Sequence, residues 1–322
     1  MASPPIVQAN KLPLLGLVQT ACNELGIRQP SQIFGATDNQ TIQLLALANR
    51  EGKEYYNQGQ RIGGWSSLRK QNVFNLTGYS GAIGTTVAGS PVIKNISPNP
   101  QTAITLSSSN SWSVLSTNIP NDAHIISVDS PTQVTLDTAA TISGTDTNMT
   151  FGQDGYPFPN DFAYYQTMTS WDRSFRWQML GPLEAQEWQV LKSGISPTGP
   201  RRRFRIMQGL WFVDPIPASA ETIVFEYFSN AWAQSSTGTA QTTWLADTDY
   251  YTLNDDSFIM GLKWRWKAAK GLDYTQEKED YDMLKERLQA SNGANRDLPM
   301  NAQASGIRLL NDQNVPDTGY GS

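Results

Sequence analysis

Residues 255–289 read DDSFIMGLKWRWKAAKGLDYTQEKEDYDMLKERLQ, and the fold class expected of the chain turns on this stretch. Phe258, Ile259, Leu262, Trp266 and Ala269 recur at helical spacing, which puts them on one apolar face. Gly271 interrupts the run, and the period resumes at Tyr274, Tyr281, Leu284 and Leu288. Asp255 and Asp256 complement a helix start; Lys285 and Arg287 complement a helix end. The stretch therefore predicts two consecutive helices, or one long helix kinked at Gly271. Trp264 and Trp266 stand about 200° apart around the axis, so they cannot face the same core. Trp266 continues the apolar stripe. Trp264 either packs on another element of the same chain or enters a subunit interface, where Trp and Arg are enriched.

Working upstream, 201–213 alternates, with Phe204, Ile206 and Gln208 on one face and Arg201, Arg203 and Arg205 on the other. Residues 221–232 read as its antiparallel partner, with the turn at Asp214-Pro215-Ile216-Pro217. A helix over 183–192 opens at Pro182, and Gly194 closes it. Residues 171–177 read as extended, and 161–168 as a short helix or a strand. Near the start, Leu14, Leu17, Val18, Ala21, Cys22 and Leu25 share a helical stripe within 12–26. A second helix spans 38–58, with a capping box at Thr37 and Gln40.

Between these helical parts, residues 79–154 change character. They hold one basic residue, Lys94, and five acids, Asp122, Asp129, Asp137, Asp146 and Asp154. That is +1 and −5, or −4 of the chain's total of −5. Short β-branched alternations recur between Ser, Thr, Gly and Asn clusters, which predicts an inserted all-β module rather than a disordered loop.

The 322 residues suffice for two domains, and the charged fraction of 16% is low. With one cysteine, Cys22, and one histidine, His124, a Cys/His zinc site of the usual kind cannot be built. A Ser-His-Asp triad could draw only on His124, which has no nucleophile-elbow motif near it. No phosphate-cradling glycine motif occurs, and no apolar run reaches membrane-spanning length. The first residues lack the pattern of a signal peptide, so no leader is expected. No cofactor is expected, and no acid–base pair stands out.

Two motifs carry a resemblance. Trp264-Arg265-Trp266-Lys267 followed by Gly271-Leu272-Asp273-Tyr274, and the re-entry segment Pro159-Asn160-Asp161-Phe162, resemble the head-to-tail adaptor proteins of tailed bacteriophages. The resemblance is especially to the tail tubular protein A type of short-tailed phages. The resemblance covers about residues 12–78 and 155–291; the β insert departs from the shortest family members. It implies a non-enzymatic virion protein at the capsid–tail junction, assembled in the host cytoplasm. Such proteins form a homo-oligomeric ring, usually of about twelve copies. The ring binds the portal protein on one side and a tail nozzle or tail tube protein on the other, with a channel for genomic DNA and no membrane.

The expected fold is therefore α+β. A helical bundle with one antiparallel strand pair occupies 1–78 and 155–290, a small all-β domain occupies 79–154, and an extended tail occupies 291–322. Candidate interface residues are Arg201, Arg203, Arg205, Trp264, Arg265, and the tail cluster Ile307, Leu309 and Leu310, expected to anchor on the portal. The competing reading is a tail-associated glycan-binding protein that uses aromatics of the insert, Tyr79, Trp112 and Phe151.

Overall fold

A computed structural model describes residues 11–60, 63–193 and 201–293. In chain order the elements begin with α1 (Leu14–Leu25), α2 (Asn39–Gln60), β1 (Arg69–Leu76), β2 (Gly78–Thr86) and β3 (Val92–Ser97). Next come α3 (Pro100–Ala103), β4 (Ser111–Leu115), β5 (Ala123–Ser130), β6 (Gln133–Leu136) and β7 (Gly144–Pro157). After them lie β8 (Phe162–Tyr165), β9 (Trp171–Asp172), β10 (Trp177–Gln178), α4 (Ala185–Lys192), β11 (Arg203–Met207) and β12 (Leu210–Asp214). The chain continues with β13 (Glu221–Ser229), β14 (Ala233–Gln234), β15 (Ala240–Gln241), β16 (Tyr250–Tyr251), α5 (Asp255–Ala269) and α6 (Thr275–Gly293).

This order corrects the expected fold class. Among the described residues the molecule is mainly antiparallel sheet with six helices, and is not a helical bundle carrying one strand pair and a small insert. One sheet has eight strands and another five. The specific misreading lies at 201–213. That stretch is not one strand but a hairpin, turned at Gln208 (φ 54°) and Gly209 (φ 72°). Positive φ at both central residues is what a tight two-residue hairpin loop requires. Residues 221–229 consequently have a different partner. β13 pairs with β1 from Arg69 opposite Phe228 to Leu76 opposite Glu221. Its other edge takes β8 and β9.

Strands β2 to β7 form a closed barrel. Each neighbouring pair in the order β7-β2-β3-β6-β5-β4 is antiparallel, and β4 returns to β7. Closure leaves no free strand edge around the ring. Ala82, Ile93, Val114, Ile125, Val134, Leu136, Met149 and Phe151 fill the interior. The long strand β7 does not stop at 154. It runs to Pro157 and pairs there with β12, so that Trp211 lies opposite Tyr156. The barrel and the arginine hairpin thus share one backbone ladder.

The helices gather around a second core of Leu14, Leu17, Leu44, Ala48, Phe258, Leu262, Trp266 and Tyr281. At α2 the cap is Asp38, whose Oδ2 accepts from Thr41 N at 2.9 Å and Thr41 Oγ1 at 2.8 Å, in place of the expected Thr37–Gln40 box. Asn254 caps α5 by accepting from Ser257 N at 2.8 Å. Gly271, at φ 71°, ends the run, so 255–293 is two helices rather than one kinked helix. Gly261 is needed for a different reason. A Cβ there would come within 2.2 Å of the Glu51 carboxylate, which lies between α2 and α5.

Candidate functional site

Two of the expected interface residues turn inward. Arg265 has a side chain only 4% exposed. Its Nε donates to Glu51 Oε2 and its Nη2 to Glu54 Oε2, the latter at 2.7 Å. Tyr281 Oη donates to the other Glu51 oxygen at 2.8 Å. Burial pushes the Glu51 carboxyl upward, and Arg265 and Tyr281 act against that. This arrangement ties α2, α5 and α6 together. Trp264 is half-buried and rests on α6, with ring centroids 6.1 Å from Tyr274 and 6.2 Å from Tyr281. Trp266 is buried, as its place in the apolar stripe requires.

The arginines of 201–205 separate by role. Arg202 is the most constrained: its Nε donates to Glu221 Oε2 at 2.9 Å and its Nη1 to the Pro215 carbonyl at 2.6 Å. Arg201 is exposed, while Arg203 and Arg205 are half-exposed. Next to them lies a feature the sequence reading passed over. Leu180 N donates to Arg202 O, and Phe204 N donates to Leu180 O, both at 3.0 Å. These bonds hold the β9–β10 hairpin beside β11. The hairpin tip reads Arg173-Ser174-Phe175-Arg176-Trp177. Asp172 Oδ1 shapes it by accepting from Ser174 N at 2.9 Å and Phe175 N at 3.1 Å. Phe175 and Trp177 stack at 5.9 Å, yet they are 54% and 38% exposed. Arg173 and Arg176 are exposed beside them. The alternation of Arg with aromatics at 173–177 was the available signal. Ile307, Leu309 and Leu310 lie outside the described residues.

A third group surrounds His124. Its Nε2 lies 3.2 Å from Asp154 Oδ2 and its Nδ1 lies 3.4 Å from Asp137 Oδ2. Ser113 Oγ donates to the same Asp154 oxygen at 2.6 Å. The hydroxyl is thus committed to a carboxylate and not to the imidazole, so these three residues do not form an activated-serine relay. Lys192, from the end of α4, reaches Asp122 Oδ1 at 2.8 Å and Asp214 Oδ1 at 3.3 Å. The hydrogen bond to Asp154 raises the imidazole to about 9, against the opposing effect of burial. Burial alone would raise the Asp154 carboxyl, but bonds from His124 and Ser113 bring it below its ordinary value. In Asp214 burial prevails over Lys192, and the carboxyl rises. The sequence signal missed here was Asp122-x-His124, an acid in the turn that opens β5 (φ 67°) followed two residues later by the chain's one histidine.

The insert's aromatics face its core. Trp112 and Phe151 are buried, and Tyr79 stacks on Phe151 at 5.3 Å. They therefore offer no exposed platform for a sugar ring. Among the described residues no helix is long and apolar enough to cross a membrane. The chain matches no protein-family model and no curated protein.

Proposed function

We propose that the chain is a structural virion protein, a ring-forming head-to-tail adaptor that joins the capsid portal to the tail and leaves a channel for DNA. The observation that supports this reading best is the exposed hairpin tip beside the arginine strand. Phe175, Trp177 and Leu180 present exposed apolar surface; exposed Arg173 and Arg176 alternate with the two rings, and Leu180 bridges to Arg203. Aromatic residues and Arg are what protein interfaces concentrate, and free surfaces seldom stack two large rings in water. β10 is also an edge strand, so the same tip can meet a neighbouring copy. The resemblance carried by Trp264–Lys267 and Gly271–Tyr274 gives that interface its setting between portal and tail. In this role Trp264 and Arg265 act inside the subunit, and the hairpin tip acts between subunits.

The test is a double substitution, Phe175→Ser with Trp177→Ser, followed by sedimentation of the purified chain with portal rings. The expected outcome is a folded protein that no longer assembles. Normal assembly would remove the tip from the interface.

A further inference from the structure

The His124 cluster has the composition of a cation site as well as of an ion network. Asp122, His124 and Asp154 each offer a ligand atom, and these atoms all lie within 4.8 Å of one another. Asp154 is 1% exposed, and its Oδ1 has no hydrogen-bond partner among the described residues. Asp214 Oδ2, across Lys192, is likewise buried without a partner. A buried carboxylate oxygen left unpaired costs free energy unless something positive meets it. Asp122, Asp137, Asp154 and Asp214 bring four carboxylates, against one ammonium and one imidazole. Arg203, opposite Asp214 in the β11–β12 ladder, adds only a longer-range positive field. The cluster is short of positive charge.

The outer groups are already arranged for a metal. His124 Nδ1 faces Asp137, so that Nε2 is the nitrogen turned toward Asp154. A carboxylate behind an imidazole is the usual support of a metal-bound histidine. Asp137 is itself fixed, since its Oδ1 accepts from His124 N at 2.9 Å and its N donates to His124 O at 3.0 Å. Ser113 holds Asp154 Oδ2 and leaves Oδ1 free. One imidazole and two carboxylates suit a divalent transition ion of the zinc type. Calcium would require six or more oxygens, which these residues do not bring.

We infer that Asp122, His124 and Asp154 form a binding site for one divalent transition-metal ion, placed to clamp the start of β5 to β7 beside α4 and β12. The ion displaces the proton from His124 Nε2 and takes the free Oδ1 of Asp154. Lys192 remains on Asp122 and Asp214 and caps the outer side.

Zinc alone is the probe, titrated calorimetrically into the full-length, tag-free chain after chelator treatment and dialysis. With one histidine and one buried cysteine in the chain, background zinc binding is low. The expected result is one saturable equivalent per chain and a higher melting temperature. His124→Asn should weaken binding at least about tenfold. Asp137→Asn touches no metal and should weaken it about 10–100-fold by releasing the imidazole. Asp154→Asn is a poorer test, because it alters a buried group. The absence of saturable binding up to millimolar zinc would overturn the inference. Undiminished binding by a folded His124→Asn protein would do the same.

Discussion

The helical layer and the barrel are stabilised in different ways. The layer places an ion pair at its centre: Glu51 is fully buried and held by Arg265 and Tyr281 between α2, α5 and α6. The barrel's core cluster is apolar, aliphatics with Trp112, Met149 and Phe151, and its buried acid Asp154 lies outside that cluster, paired with His124 and Ser113. A bundle can bury a charge because helices satisfy their own backbone, which leaves side chains free to pair across them. A closed sheet gains its order from the ladder itself, so its interior can be apolar and its polar groups can serve the outside. The contrast locates fragility. The layer should lose most when one partner of its central pair is removed, whereas the barrel, whose His124–Asp154 pair lies outside its apolar cluster, should lose less.

The largest expected effect follows directly. Arg265→Ala leaves Glu51 buried without its cation and should destabilise the layer by about 3–5 kcal/mol. Hydrogen exchange resolved by peptide should show faster opening of α2, α5 and α6 with the barrel amides protected. Equal loss of protection in β2–β7 would mean that the two regions form one cooperative unit. Next in size, Trp266→Ala should cost about 3 kcal/mol and Trp264→Ala roughly half of that, since Trp266 is buried and Trp264 half-buried. Coincident denaturation midpoints for the two variants would contradict the face assignment.

The third effect belongs to the barrel wall and depends on pH. His124 is raised from 6.5 to about 9 in the folded chain. Protonation is therefore favoured by folding. The stabilisation is complete below about pH 6.5 and is lost as pH rises through about 9. His124→Asn should remove on the order of 1–3 kcal/mol at pH 6 and almost nothing at pH 10, with chelator present throughout. A difference between the two proteins that stays constant with pH would show that the imidazole charge contributes nothing. The smallest effect is at the second helix, where Asp38→Ala should lower the denaturation midpoint slightly by removing the cap on Thr41. If Thr37→Ala costs more, the cap has been misassigned.

How much of this could be read in advance differs between the two regions for a physical reason. The helices were legible because their apolar period is local; Phe258, Leu262 and Trp266 declare a face within three turns. The strands of 79–154 were legible as strands, from their β-branched alternation. Their closure into a barrel was not, because β4 meets β7 across more than thirty residues and no local signal carries such a pairing. The same limit explains β13. Its partner, β1, lies about 150 residues away, while the nearer 201–213 offered a tempting pair until Gln208-Gly209 is recognised as a turn. The placement of the site residues follows a similar rule. Arg265 looked like an interface residue because Arg beside Trp is common there, and only the three-dimensional placement of Glu51 and Glu54 accounts for it. The exposed tip at Phe175 and Trp177 required knowing that a two-strand hairpin lifts both rings out of the sheet.

Assembly of this chain as a ring between portal and tail remains the proposal to be tested. The most direct test is native mass measurement of the purified protein, alone and mixed with portal rings, with electron microscopy of the same samples. The account predicts a closed assembly of many copies on the portal, with a central opening wide enough for duplex DNA. A chain that stays monomeric in both samples, at concentrations where portal rings are intact, would contradict it.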